Sequence, residues 1–179
     1  GNRVGRGAHA LFPGGIIIEA KPWEHEIAVI QTRRLMDDGK TPAIFEAAFE
    51  YDGTRIRVDI LERLDDKSWG LREVKSSLSV KEASGHFDDV TVQLYVLRGS
   101  SVPISSVELI HINKEYTRGK SDIDWTDLLY RSDLTAHAED RLGKIESTLA
   151  DQRAVIQLDD PPEIYPSKQL CQKPYECSY

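Results

Sequence analysis

The chain has 179 residues, 40% of them hydrophobic, and a formal net charge of −7. Length and apolar content suffice for one substantial core, no run approaches the roughly 18 apolar residues of a membrane-spanning helix, and an acidic total argues against holding nucleic acid by bulk charge attraction. Two cysteines are too few for a disulfide framework in a domain of this size, and the expected setting is the cytoplasm, away from membranes.

The opening GNRVGRGAHALF reads as a short helix stopped by Pro13-Gly14-Gly15, and EHEIAVIQTRRLMDD (24–38) as a second helix with Ile27, Ile30 and Leu35 at helical spacing. AIFEAAFEYDGTRIRVDILERL then carries the strongest short-range hairpin signal, Asp-Gly between two alternating apolar runs. A two-residue turn at Asp52-Gly53 pairs Tyr51 with Thr54 and, counting back, Glu46 with Asp59. A looser turn over Asp65, Asp66, Lys67 and Ser68 leads into WGLREVKSS (69–77), placing Asp59 opposite Glu73 with Lys75 on the same face. Three carboxylates then stand in a row at about 4.5–5.5 Å between opposed Cβ atoms, where like charges repel, and a divalent cation would relieve them. The opposite face carries Phe45, Ala47, Phe49, Ile56, Val58, Ile60 and Val74, interrupted by Arg72, and is the expected core side. A blander reading leaves Glu46, Arg57, Asp59 and Lys75 as solvated cross-strand ion pairs, the role expected of Glu50 with Arg55.

After a polar connection, HFDDVTVQLYVLRGSS (86–101) sets Phe87, Val90, Leu94 and Leu97 on one helical stripe. VPISSVELIHINKEY gives a strand buried on both faces, interior to the sheet. A short helix over 123–130 follows, then a long one with Ser132 as N-cap and Leu134, Ala138, Leu142, Ile145 and Leu149 along one stripe. The expected fold is α/β: helices, three antiparallel strands, helix and strand in a mixed sheet flanked by helices, with a core over 1–119 and a helical extension over 120–179. His25, His86, His111 and His137 have no partner at ligand spacing and are expected at the surface or as caps, His86 on the helix that carries Gln93. Trp23, Trp69 and Trp125 are expected in packing. The start at Gly1 and the end in LCQKPYECSY point to a piece of a longer protein, whose further domains would then be partners in the same chain.

IRVDILERLDDKSWGLREVKSS, followed by a helix carrying VQLYVL, resembles the PD-(D/E)xK nuclease superfamily and, within it, the RecB-like clade. The match is Asp59 on the second strand, Glu73-Val74-Lys75 on the third, Gln93 on the helix and Glu46 at the upstream acidic position, over roughly residues 5–116. Tyr95 follows Gln93 more closely than the clade's tyrosine does, so Gln93 alone carries over. LFPGG and PYEC further resemble an uncharacterised bacterial family in that clade.

The resemblance implies a restriction-endonuclease-like core and a nuclease dependent on Mg²⁺ or Mn²⁺, acting on DNA single strands or duplex ends in repair or phage defence. It implies metal ligation by Asp59, Glu73 and the Val74 carbonyl, support of the attacking water by Lys75, positioning by Gln93 and an outer carboxylate from Glu46. Mg²⁺ takes such oxygen donors in near-octahedral geometry, and a lysine beside it stabilises charge on phosphorus. His9, in Gly5-Arg6-Gly7-Ala8-His9, is similar to the clade's Gly-x-x-x-His, whose imidazole ligates the metal. Clade members often hold a 4Fe-4S cluster through one cysteine before the core and three after it. Cys171 and Cys177 would then be part of a cluster motif that only the full-length protein completes. The alternative is a catalytically inactive nuclease-fold scaffold that docks nucleic acid or protein, which the acidic net charge favours.

Overall fold

The computed structural model describes residues 2–64, 67–81, 85–120, 122–160, 162, 163, 165, 167, 171 and 172. In chain order they form α1 (Asn2–Ala8), a 3-10 turn (His9–Leu11), β1 (Ile16–Ile17), α2 (His25–Asp37), β2 (Ala43–Tyr51), β3 (Thr54–Arg63), β4 (Trp69–Val74), α3 (His86–Gly99), β5 (Ile104–Ile112), α4 (Trp125–Leu128), β6 (Leu129–Asp133) and α5 (Thr135–Ile156). The strands make one mixed sheet in sequence order. β1 and β2 are parallel, as are β4 and β5, and a helix crosses over within each of these pairs, as parallel strands require. The other neighbours are antiparallel. The chain divides into two compact units, 1–146 and 147–179. No helix among the described residues is long and apolar enough to cross a membrane.

Asp52 and Gly53 take φ of 48° and 71°, both positive as a type I′ turn demands. The resulting register pairs Tyr51 with Thr54 and Phe45 with Ile60, and the next turn pairs Ile60 with Arg72. Both registers are those read from the turn positions. The face assignment, however, needs correcting. Between Phe45↔Ile60 and Ala47↔Val58 the ladder skips Glu46 and Asp59, and Glu46 has a left-handed φ of 58°. One residue out of phase is enough to exchange the two sides of a strand. Ile44, Leu61, Ala47, Phe49, Ile56 and Val58 therefore join one apolar cluster with α3, whereas Phe45, Ile60 and Val74 join a second with Ala8 and Phe12. The set expected on a single face divides between two cores.

Arg72, which by sequence interrupts the expected core face, is 2% exposed and belongs to a charge network. Its guanidinium meets Glu62 at 2.8 Å and Glu108 at 3.4 Å, Arg131 bonds the same two carboxylates, and Ser106 Oγ accepts from Arg72 Nη1 at 2.8 Å. Burial is tolerated because each charge has opposite partners. Glu50 and Arg55 form the expected exposed pair at 2.8 Å.

Other local expectations shift for identifiable reasons. α2 buries His25, Ala28 and Thr32 and leaves Ile27 and Ile30 half-exposed. The polar pair is accommodated because His25 Nε2 meets the Phe49 carbonyl at 3.2 Å and Thr32 Oγ1 accepts from Ala48 N at 3.0 Å. His86 and His111 are likewise buried; His86 Nδ1 accepts from Lys81 N rather than capping α3, and His111 Nε2 meets Ser132 Oγ. Trp69 is buried, but Trp23 is 77% exposed. The helix expected over 123–130 stops at Leu128 and the chain continues as β6, so Ser132 lies in a strand. Asp133 takes over at the start of α5, its carboxylate accepting from Thr135 N at 2.8 Å and Thr135 Oγ1 at 2.6 Å.

A Cβ on Gly70 would lie 2.1 Å from Arg72 Nη2. Gly70→Ala must push the buried guanidinium off its carboxylates and is expected to destabilise the fold by about 1–3 kcal/mol, measured by urea unfolding.

Candidate active site

At the break between Glu46 and Asp59, a pocket of about 530 Å³ opens on the sheet. Glu46, Asp59, Glu73, Val74 and Lys75 line it from three strands and the end of β4, while His9 and Arg6 face it from the N-terminal helical segment. The β3–β4 ladder ends at Ile60↔Arg72. One residue on, the Val74 N–H donates to Asp59 Oδ2 at 2.7 Å, so a side-chain carboxylate stands in for the next ladder carbonyl. Gln93, on the buried stripe of α3, donates from Nε2 to Glu73 Oε2 at 2.8 Å. Lys75 Nζ bridges Glu73 Oε1 and Asp89 Oδ2, each at 2.7 Å. Arg57, which the ion-pair reading would place against these carboxylates, donates instead to the carbonyls of Glu46 and Ala20, both at 3.0 Å.

The electrostatics follow from this crowding. Burial, then the Glu73 charge, push Asp59 up to about 7; the Val74 N–H opposes them, Glu46 adds to the rise and Lys75 opposes it. For Lys75, burial disfavours the ammonium, but the hydrogen bonds it donates to Asp89 and Glu73, and then their charges, outweigh it and raise the pKa. Lys75 is therefore a fixed cation, suited to stabilising charge and not to accepting a proton. His9 stacks on Phe45 at 3.7 Å between ring centroids, and burial lowers its pKa, favouring the neutral imidazole.

Among the described residues, no group of three or more His, Cys, Asp or Glu is arranged to hold a metal ion. Of the three carboxylates that line the pocket, Glu46, Asp59 and Glu73, the last two flank the end of β4, with Val74 between Glu73 and Lys75. That donor set fits a hydrated Mg²⁺-like ion, which takes one or two carboxylates and keeps several waters, and does not fit a closed structural site. Gln93 Oε1, buried beside Glu73, has no hydrogen-bond partner among the described residues and leaves further acceptor capacity there. Cys171 is a free thiol, and Cys177 lies outside the described residues.

Two site residues escaped the sequence reading. Asp89 belongs to an acidic pair in the first turn of α3, a position recognisable once Lys75 is placed at the preceding strand end. Arg6 lies three residues before His9, the spacing of one helical face.

The raised Asp59 pKa has a defined sign in stability. From the ordinary value of 3.8 up to about 7, the unfolded chain loses the proton while the folded chain keeps it, so the native state loses stability as pH rises through that window. Without added metal, Asp59→Asn is expected to raise the thermal midpoint above about pH 7 by several degrees, the gain vanishing near pH 4. Paired melting curves across that range measure it.

Compared with protein-family models and with curated proteins, the chain matches none.

Proposed function

We propose that the chain is a Mg²⁺- or Mn²⁺-dependent nuclease with a restriction-endonuclease-like core of the PD-(D/E)xK type. The observation that carries the reading is the convergence of Asp59, Glu73 and Lys75 in one pocket, with Gln93 holding Glu73 from behind. Three antiparallel strands, a helix and a strand parallel to the third of them also suit that core.

Asp59, Glu73 and the Val74 carbonyl are the groups that would hold the ion, which when bound supplies charge neutralisation and a more acidic water. Gln93 fixes the orientation of the Glu73 carboxylate, and Asp89 does the same for the Lys75 ammonium. Lys75 places permanent positive charge where phosphate oxygens gain negative charge. His9, neutral and held flat on Phe45, also lines the pocket, and Glu46 adds an outer carboxylate. The expected substrate is DNA, as single strands or duplex ends, and the expected setting is repair or phage defence.

Labelled DNA incubated with Mg²⁺ or Mn²⁺ is expected to be cut by the wild type, with Asp59→Ala and Lys75→Ala each slower by about 100-fold or more. Equal cleavage by all three proteins, with folding checked by circular dichroism, contradicts the proposal.

A further inference from the structure

Trp23 occupies the connection between β1 and α2, and it is far more exposed than a packing residue would be. The connection is held in shape from within. Glu24 N donates to the Lys21 carbonyl at 2.8 Å, and Lys21 N donates back to Glu24 Oε2 at 2.8 Å. It is also tied to the pocket, because the Arg57 guanidinium that bonds the Ala20 carbonyl bonds the Glu46 carbonyl as well. One guanidinium bridging two acceptors keeps them within about 8 Å, and Trp23, three residues on, lies within a further ~10 Å of chain. Ile17, at the end of β1, lines the pocket itself, so its wall is continuous with this connection.

Lys21 Nζ lies 5.3 Å from the Trp23 ring centroid. A hollow of about 300 Å³ borders Trp23 and Ile27, with Arg55, Glu24 and Glu26 around it. An exposed ring beside a cation and a base-sized hollow is a combination that serves an unstacked nucleobase and its phosphate.

We propose that Trp23 and Lys21 form a single-strand subsite, Trp23 stacking on a base a few nucleotides from the phosphate held in the pocket and Lys21 meeting the backbone. The proposal rests on the nuclease reading and adds its substrate class: a duplex keeps its bases stacked on one another, whereas a single strand can lay one on the ring. With the two neighbouring glutamates and an acidic chain, affinity comes from stacking, and its dependence on salt is shallow.

The test pairs tryptophan fluorescence with anisotropy of a dye-labelled short oligothymidylate, which reads affinity in every variant, both with a chelator present; Trp69 is buried and Trp125 packs against the second core. The wild type is expected to be quenched on binding; Trp23→Ala weakens binding about tenfold, and Trp23→Phe retains most of the affinity without the quench. The slope of log affinity against log salt is expected to be about −0.7, one phosphate of a single strand neutralised. Equal affinity in wild type and Trp23→Ala overturns the subsite, as does a Trp23→Ala change in sedimentation that shows the ring to be a contact with a second copy. Cleavage that ignores Trp23 sinks the subsite alone, whereas Trp23-dependent binding by a chain that never cuts DNA sinks the nuclease reading.

Discussion

The left-handed conformation of Glu46 is the constraint on which the site depends. A non-glycine residue at positive φ costs about 1–2 kcal/mol, and here it interrupts an otherwise continuous hairpin ladder. On one side of the break, β2 and β3 send Phe45 and Ile60 to the core beneath the N-terminal helix; on the other, Ala47, Phe49, Ile56 and Val58 serve the core beneath α3. Without the phase change, one of these cores would lose its apolar side chains to the opposite face. The two carboxylates released from the ladder are those that line the pocket.

The molecule buries charge in two different ways. Around Arg72, two guanidinium groups and two carboxylates alternate in sign, and the arrangement is balanced. Around Asp59, three carboxylates share a pocket into which Lys75 is drawn by Glu73 and Asp89. Burial first, and then the charge of Glu73, raise the proton affinity of Asp59, and Lys75 does not offset them fully. Such an imbalance in a cleft, next to a balanced network in the same sheet, supports the proposed cation site. The two networks meet on neighbouring residues of β4, Arg72 and Glu73, which point to opposite sides.

Much of this was legible in the sequence because turn chemistry fixes register. Asp52-Gly53 set the first hairpin, the turn over 65–68 set the second, and counting from both turns brings Glu46, Asp59 and Glu73 together, as their shared pocket does. The helical stripe through Val90, Leu94 and Leu97 was equally plain. What escaped has specific causes. β1 and β6 are edge strands of two and five residues, too short to show a period. Alternation hid the phase change, since Glu46 gives no local signal of a positive φ. On α2, buried His25 and Thr32 are satisfied by backbone partners on β2, a tertiary fact that apolar spacing misassigned to Ile27 and Ile30. Arg72 read as an interruption because its four-membered charge network spans residues far apart in the chain.

The proposed divalent-cation site rests on Asp59 and Glu73 together. Calorimetric titration of the wild-type chain with Mn²⁺, beside Asp59→Asn and Glu73→Gln, tests it most directly. Saturable binding by the wild type, lost when either carboxylate is neutralised, is expected. No binding by the wild type, or binding that survives both substitutions, would contradict it.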